Sequence, residues 1–186
     1  MTYYNIEQIQ EKLSFQRDLT NLILSKRNVS QPIVLLCIGT DRATGDCLGP
    51  IVGTSLMINS MNATVYGSLL TPVHANNLKT IIKEIYTQFD NPFIIAIDAC
   101  LGIPEHIGHI TLSSNRLSPG ESIQQNLPSI GDISITGIVN QASHSNFLIL
   151  QSTRLHNVML LANVISSTLS ITLQSLQSIS VSERSA

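Results

Sequence analysis

The segment Pro32–Pro50, PIVLLCIGTDRATGDCLGP, joins a continuous apolar run to a glycine-containing loop that carries two carboxylates, Asp41 and Asp46. The run Ile33–Ile38 shows no polar alternation, which predicts a central strand covered on both faces. A loop that follows such a strand places its polar side chains at one edge of the sheet. We therefore expect Asp46 at the carboxyl edge of a parallel sheet.

A second apolar run, Pro92–Gly102 with the sequence PFIIAIDACLG, contains a single carboxylate, Asp98. Phe93–Ile97 is predicted to be a strand beside Ile33–Ile38. An unpaired buried carboxylate would cost several kcal/mol, so Asp98 requires a hydrogen-bond network, a metal or a shared proton. Ligands of open α/β sheets bind in the crevice beyond the strand ends, and Asp46 and Asp98 together predict such a site.

The rest of the chain alternates helical and strand-like segments, which predicts one α/β domain over residues 1–186, a three-layer sandwich with a mostly parallel sheet. Residues 1–30 are expected to be an N-terminal helical segment and residues 175–186 a frayed tail. The predicted helices are Asn5–Lys26 with Asn5 as N-cap, Pro50–Ser60, a helix that buries Leu78 to Ile85, and a long helix beginning between Asn146 and Thr153. The further predicted strands are Ala63–Tyr66, Gly108–Leu112 and Ile133–Val139, with a long loop or lid over Ser113–Gly131.

The amino-acid composition limits the classes of function and partner that we expect. The formal net charge of −2, with 12% charged residues, lacks the basic excess that nucleic-acid binding requires. Three cysteines without a C-x-x-C pair indicate reduced thiols. No stretch approaches the roughly 20 apolar residues that span a bilayer. We expect a cytoplasmic protein without nucleic-acid or membrane partners; its oligomeric state stays open.

Several familiar motifs are absent from the sequence. The loop Gly39–Gly45 does not continue into the Gly-Lys-Ser/Thr of a phosphate loop, because Asp46 and Cys47 stand there, and a carboxylate would repel phosphate. The fingerprint G-x-G-x-x-G is missing, as is the nucleophile pattern G-x-S-x-G. His106 and His109 do not form the H-E-x-x-H metal pattern, so we interpret them as structural or solvated.

Other residues near the two acids have both a functional and a structural interpretation. His74 lies in a loop that leads into a helix, where it either joins the crevice or begins the helix. Gly45, Gly49 and Gly102 flank the acids, and glycine permits close backbone approach by a substrate strand. The alternative for Gly45 and Gly102 is ordinary turn formation. For Gly49 we predict that Gly49→Val folds but loses peptide binding or cleavage. Asp46 alone also suits a helix N-cap.

Four segments resemble the YyaC-type sporulation proteins of endospore-forming bacteria: Cys37–Pro50, Thr71–Ala75, Ala96–Cys100 and Gly131–Asn140. The resemblance covers about residues 30–165. That family is similar to the germination protease of spores and, more distantly, to hydrogenase maturation endopeptidases. It implies their α/β fold, and it implies a protein or peptide substrate in the sporulating cell or spore.

The resemblance also implies roles for individual residues. The germination-protease motif Asp-x-Leu-Gly-Pro corresponds to Asp46–Pro50, and its second catalytic aspartate, in Asp-Ala, corresponds to Asp98. Hydrogenase endopeptidases bind a metal at the same two positions together with a histidine, for which His74 is the candidate here. The segment Gln141–Asn146 departs from the glycine-bearing sequence expected after Asn140.

These observations predict a peptidase in which Asp46 and Asp98 act as general acid and base. Asp41, Gly45, Gly49, His74 and Gly102 are the predicted substrate-binding residues. No cofactor is required by this mechanism. One alternative is a metal-dependent maturation endopeptidase with Asp46, Asp98 and His74 as ligands. Another is a non-catalytic module whose protease-like crevice binds a peptide or a protein.

Overall fold

The computed structural model of the protein describes residues 1–58, 63–119 and 128–184. Within this part of the chain, six strands form one sheet: β1 (Thr2–Asn5), β2 (Ile33–Cys37), β3 (Thr64–Tyr66), β4 (Phe93–Gly102), β5 (His109–Ser113) and β6 (Ile133–Gln141). The strand order is β1-β5-β6-β4-β2-β3. Strands β6, β4, β2 and β3 pair in parallel, and β5 runs antiparallel to both β6 and β1. The predicted, mostly parallel sheet is thus confirmed.

Helices cover both faces of the sheet, as expected for a three-layer α/β fold. They are α1 (Ile9–Lys26), α2 (Leu48–Ile58), α3 (Leu78–Gln88), α4 (Asn146–Ser152) and α5 (Leu155–Arg184). On one face, Leu35 and Ile95 share a core with α1, α2 and α5. On the other face, Val34 and Ile94 pack with residues of α3. Side chains alternate between two apolar layers, which explains why both strands are uninterrupted apolar runs.

The central prediction, that the two apolar strands are neighbours, is confirmed. Pairing runs from Ile33 opposite Phe93 to Cys37 opposite Ile97. Strand β4 continues beyond the predicted end at Ile97, because β6 pairs with it as far as Gly102. Asp98 therefore lies inside a strand rather than directly after one.

The N-terminal helix begins later than predicted. Asn5 is the last residue of β1 and pairs with His109, while the helix starts at Ile9 with Gln8 at the N-cap position. The backbone N–H of Asn5 donates to the Glu11 carboxylate. The helical spacing of Ile9, Leu13, Leu19 and Ile23 predicts one buried stripe. Ile9 and Leu13 are exposed, however, and the helix buries Phe15, Leu19 and Ile23. The predicted N-cap role of Asn5 is therefore wrong, because strand pairing occupies that residue.

Three further boundaries differ from the expected ones. The helix α2 starts at Leu48, two residues before the predicted start at Pro50. The last two residues of the predicted helix, Asn59 and Ser60, lie outside the described residues. The predicted long C-terminal helix is two helices, α4 and α5, separated at Thr153 and Arg154. The backbone of α5 remains helical through Arg184, past Ser175, where we expected fraying. The middle of the predicted loop Ser113–Gly131, residues 120–127, lies outside the described residues. The described parts of this loop on either side of the gap form an antiparallel bridge between Leu117 and Ile130.

Contrary to the expectation that no stretch could span a bilayer, Leu155–Ser178 of α5 is long and apolar enough by length and composition to cross a membrane. Half of its most apolar window is buried inside the protein. Val158, Leu161 and Ile165 are fully buried in the core shared with α1 and α2. The apolar character of this stretch is therefore used, at least on one side, for packing within the fold.

Candidate acid-pair site

Asp46 is placed by a short 3₁₀ turn, Thr44–Cys47, that lies between β2 and α2. The turn is fixed by two backbone hydrogen bonds: Asp46 N–H donates to the Ala43 carbonyl at 2.9 Å, and Thr40 N–H donates to the Asp46 carbonyl at 3.0 Å. Burial raises the pKa of the Asp46 carboxyl, while a hydrogen bond from the Thr40 backbone and the charge of His74 act in the opposite direction. Asp46 is thus half-buried and has a charged neighbour that favours its ionised form.

Asp98 is held more rigidly, because it lies in the middle of β4 with only 8% of its surface exposed. Its carboxylate accepts a hydrogen bond from the Ala99 N–H at 2.8 Å. Burial raises the pKa of the Asp98 carboxyl well above its usual range, and the negative charge of Asp46 raises it further. The two predicted acids therefore interact at the level where β2 ends, one residue beyond the last β2–β4 pair.

Two neighbouring carboxyl groups with little access to water do not ionise together, so they titrate as a coupled pair. Asp98 is the more deeply buried member and its pKa is raised well above the usual range, so Asp46 is the member that ionises first. The site thus combines a carboxyl that favours its neutral form with one that ionises more readily, and general acid–base catalysis uses groups of both kinds.

The raised pKa of Asp98 predicts a pH-dependent stability difference between the wild type and Asp98→Asn. A carboxyl whose pKa is higher in the folded than in the unfolded state adds stability below about pH 4, and this stability is lost as the pH rises through the folded-state pKa. Asparagine does not ionise and keeps an oxygen for the Ala99 N–H. Asp98→Asn should therefore have the higher Tm at pH 7 to 8, by roughly 2–4 °C per kcal/mol relieved.

This difference should shrink as the pH approaches about 4, where the unfolded-state carboxyl also binds its proton. Circular dichroism melting curves of both proteins over that pH range measure it. A Tm difference that is independent of pH would mean that Asp98 ionises normally in the folded protein.

His74 lies beside Asp46, but His74, Asp46 and Asp98 do not form one group of side chains. It follows Val73, which forms a bridge with Ile38 at the end of β2, and its Nδ1 accepts a hydrogen bond from the Asn76 N–H at 3.3 Å. Its charge lowers the pKa of Asp46. Among the residues that the structure describes, no three His, Cys, Asp or Glu side chains are grouped so as to hold a metal ion. The described side chains therefore do not fit the three-ligand metal site that the resemblance implies.

The predicted glycines are packed against the chain itself. A Cβ atom on Gly49 would lie 2.0 Å from the carbonyl oxygen of Ile38. On Gly45 it would lie 2.9 Å from both Leu150 Cδ2 and Thr153 Oγ1. These glycines therefore allow α2 and α4 to approach the loop and strand, because the space that a Cβ would occupy is filled by the protein itself. The expectation that Gly49→Val would fold is accordingly corrected, because its side chain would meet backbone atoms.

The remaining predicted substrate residues have different surroundings. Gly102 lines a cavity, and a Cβ atom there would lie 2.9 Å from Cγ2 of the Ile138 side chain. Asp41 is exposed at the start of the loop. Burial raises the pKa of the Cys47 thiol, and the negative charges of Asp41 and Asp46 raise it further.

The cavity that includes Gly102 has a volume of about 610 Å³ and opens along β4, β5 and β6. Asp98 lines it, together with hydroxyl groups of the two neighbouring strands: Thr111, Ser113, Ser134 and Thr136. Asp46 is not among the lining residues. The floor of this cavity is the part of the sheet face that α3 leaves uncovered. We call the whole cavity the hydroxyl groove.

Our sequence interpretation missed the hydroxyl groove. Its signal was present, because Ser134 and Thr136 alternate with Ile133 and Ile135 in an otherwise apolar strand. Cys100, which we had considered only for disulfides, also lines the groove and donates its thiol hydrogen to Thr136 Oγ1 at 3.3 Å. Burial raises the pKa of this thiol to about 11. Cys100 is therefore protonated and acts as a weak hydrogen-bond donor.

The fold is similar to that in the crystal structure of a [NiFe] hydrogenase maturation protease, HycI from Thermococcus kodakarensis KOD1. The TM-score is 0.57 at 15% sequence identity, over 84% of this chain and 99% of that chain. This similarity shows that the chain has the HycI-like α/β fold, with a mixed, mostly parallel sheet flanked by helices.

The chain belongs to the family described as "Protein of unknown function (DUF1256)", which matches residues 1–168. It is 46% identical over 150 residues to the "Uncharacterized protein YyaC" of Bacillus subtilis (strain 168). The aligned region covers 79% of this chain and 72% of that protein. The resemblance to YyaC-type proteins is thus confirmed.

Proposed function

We propose that this protein is a peptidase that hydrolyses a peptide bond in a protein substrate with the acid pair Asp46 and Asp98. The observation that carries the proposal is the deeply buried Asp98, whose pKa is raised both by burial and by the charge of Asp46. A structural role alone gives no reason to place two interacting carboxyl groups at the edge where ligands of such sheets bind. The HycI-like fold supports the same class of reaction.

The chemistry follows from the different surroundings of the two acids. Ionised Asp46 takes a proton from water, whose oxygen attacks the peptide carbonyl carbon, while Asp98 gives its proton to the carbonyl oxygen. Asp46 then passes its proton to the amide nitrogen, and Asp98 recovers a proton from a hydroxyl of the tetrahedral intermediate. The C–N bond breaks and both acids return to their starting protonation states.

The proposed setting rests on the resemblance of the sequence to YyaC-type sporulation proteins. A sporulation substrate in the cytoplasm of the sporulating cell or in the spore is the corresponding proposal. We propose a protein or peptide as the only class of partner, with neither nucleic acid nor a membrane. The low net charge of −2 agrees with the absence of a nucleic-acid partner.

The proposal is tested by incubating the protein with a peptide library made by tryptic digestion of a bacterial proteome. Small acid-soluble spore proteins and a precursor hydrogenase subunit are tested in parallel. Mass spectrometry in ¹⁸O-labelled water identifies new termini and shows whether the oxygen came from solvent. We expect cleavage at defined bonds by the wild type and cleavage at least about 100-fold slower by Asp98→Asn. Equal cleavage by both proteins would place catalysis elsewhere.

Two alternatives to the metal-free peptidase remain to be tested. His74 influences Asp46, but the described side chains do not form a three-ligand group, so metal analysis of protein purified without chelators tests the metal-dependent alternative. A stoichiometric divalent ion would replace the metal-free mechanism with a metal-dependent one. The hydroxyl groove includes Asp98 but not Asp46, which favours a module that binds peptides without cleaving them. Retention of library peptides without cleavage would support that function.

A further inference from the structure

The floor of the hydroxyl groove contains a row of polar side chains that begins at Asp98. Thr136 on β6 is the register partner of Asp98 on β4, and Thr111 on β5 is the register partner of Thr136. Neighbouring strands lie about 4.8 Å apart, so Thr136 is one strand and Thr111 two strands away from the acid. All three side chains are nearly inaccessible to solvent, and all three line the same cavity.

The Thr111–Thr136 hydroxyl pair has one hydrogen that the pair itself does not use. Each hydroxyl has one hydrogen to donate. The oxygens of Thr111 and Thr136 are 2.7 Å apart, so one hydrogen lies between them. The thiol of Cys100 uses an acceptor position on Thr136 and supplies a further hydrogen. Within the described part of the chain, the second hydroxyl hydrogen therefore has no recorded acceptor, although the exposed fractions of Thr111 and Thr136 are only 3% and 8%.

A buried donor of this kind favours a ligand that brings an acceptor. On the basis of the proposed function, we infer that the Thr111–Thr136 hydroxyl pair donates a hydrogen bond to a backbone carbonyl of the peptide substrate, lying in the hydroxyl groove next to Asp98. The occupant is an extended peptide segment, since every residue of such a segment offers a neutral carbonyl acceptor. The cavity volume of about 610 Å³ falls within the usual size of ligand sites.

This assignment makes both threonines positioning residues, because they hold the substrate and leave proton transfer to the acids. The test uses the double variant Thr111→Val/Thr136→Val, which removes both hydroxyls at once. Replacing both partners of a buried hydrogen bond by groups of similar shape is close to neutral for stability, so the variant should fold. Thr111→Ser/Thr136→Ser keeps both hydroxyls and serves as the rescue variant.

A matched control is available outside the groove. Thr20 on α1 and Thr172 on α5 have hydroxyl oxygens 3.4 Å apart. The variant Thr20→Val/Thr172→Val removes a comparable hydroxyl pair between two helices. Its kinetic constants should equal those of the wild type, so it separates loss of a buried hydroxyl pair from loss of this particular pair.

The kinetic probe is the peptide of the proteome-derived library that the wild type cleaves fastest. The valine pair in the groove should raise KM roughly 2- to 13-fold, the effect of one neutral hydrogen bond, and leave kcat within about twofold. The serine pair should restore the wild-type KM. An unchanged KM in the valine pair would overturn the inference, while loss of cleavage in Asp98→Asn would leave the proposed function intact.

If the wild type cleaves nothing, the proposed function fails, and peptide retention tests the inference separately. The same library is passed over immobilised wild type and immobilised valine pair. Retention by the wild type that the valine pair loses would support the hydroxyl site as a binding site. Equal retention by both proteins, or no retention by either, would overturn it.

Discussion

Asp98→Asn is expected to lower kcat for peptide cleavage roughly 10²- to 10⁴-fold, the range that a general acid or base contributes. Asparagine keeps the shape of the side chain and an oxygen for the Ala99 N–H, but it has no acidic proton for the carbonyl oxygen of the substrate. The folded structure should therefore persist while proton transfer is lost. Steady-state kinetics on the cleaved peptide, with circular dichroism as the check on folding, measure this effect.

Asp46→Asn should cause a loss of similar size, because it removes the proton acceptor for the attacking water. The double variant should be little worse than either single variant, since the two acids work as one unit. Asp90→Asn is the matched control, because Asp90 is an exposed aspartate that follows α3. Full activity in either Asp46→Asn or Asp98→Asn would contradict the acid-pair mechanism.

Gly49→Ala is expected to lower the free energy of unfolding by about 4 kcal/mol or more, a loss that few single substitutions reach. Its Cβ atom would lie 2.0 Å from the carbonyl oxygen and 2.7 Å from the nitrogen of Ile38. The Ile38 N–H is already bonded to the Ile97 carbonyl at 2.7 Å, so the strand is not free to move away. Gly49→Val should fail to accumulate as folded protein.

Urea unfolding of Gly49→Ala, compared with Gly108→Ala, measures this loss. A Cβ atom on Gly108 would meet nothing within 4 Å, but its φ of +83° is unfavourable for alanine. Gly108→Ala should therefore lose only about 1–2 kcal/mol, from backbone strain without a steric clash. Equal losses in the two variants would contradict the tight approach of α2 to β2.

The sequence was sufficient to predict the strands that are buried on both faces of the sheet. Ile33–Ile38 and Phe93–Ile97 could be identified because a central strand of a three-layer fold is apolar at every position. The same pattern made the isolated carboxylates conspicuous. The sequence alone could therefore predict that Asp46 and Asp98 lie close together, without knowledge of the strand order.

Features that depend on distant parts of the chain could not be predicted in this way. The strand β1 has only four residues and is formed by pairing with β5, while the adjacent Ile6, Ile9 and Leu13 have helical spacing. The sequence therefore predicted a longer helix that began at Asn5. The crowding at Gly49 likewise depends on how closely α2 approaches Ile38, which no local pattern encodes.

The hydroxyl groove illustrates a different limit. Alternating serine and threonine in β6 indicated that one face of this strand is polar. Only the register of β4, β5 and β6 shows that these hydroxyls continue the row that begins at Asp98. A polar row of this kind belongs to a site only when the strand order brings it next to the acid.

The central claim is that Asp46 and Asp98 form one coupled acid pair, and a ¹³C NMR titration of the aspartate carboxyl groups tests it most directly. In the wild type, the Asp98 signal should titrate well above the usual aspartate range, because of burial and the charge of Asp46. In Asp46→Asn, its pKa should fall, since the neighbouring charge is gone. An Asp98 carboxyl that titrates in the ordinary range, or one that is unaffected by Asp46→Asn, would contradict the account.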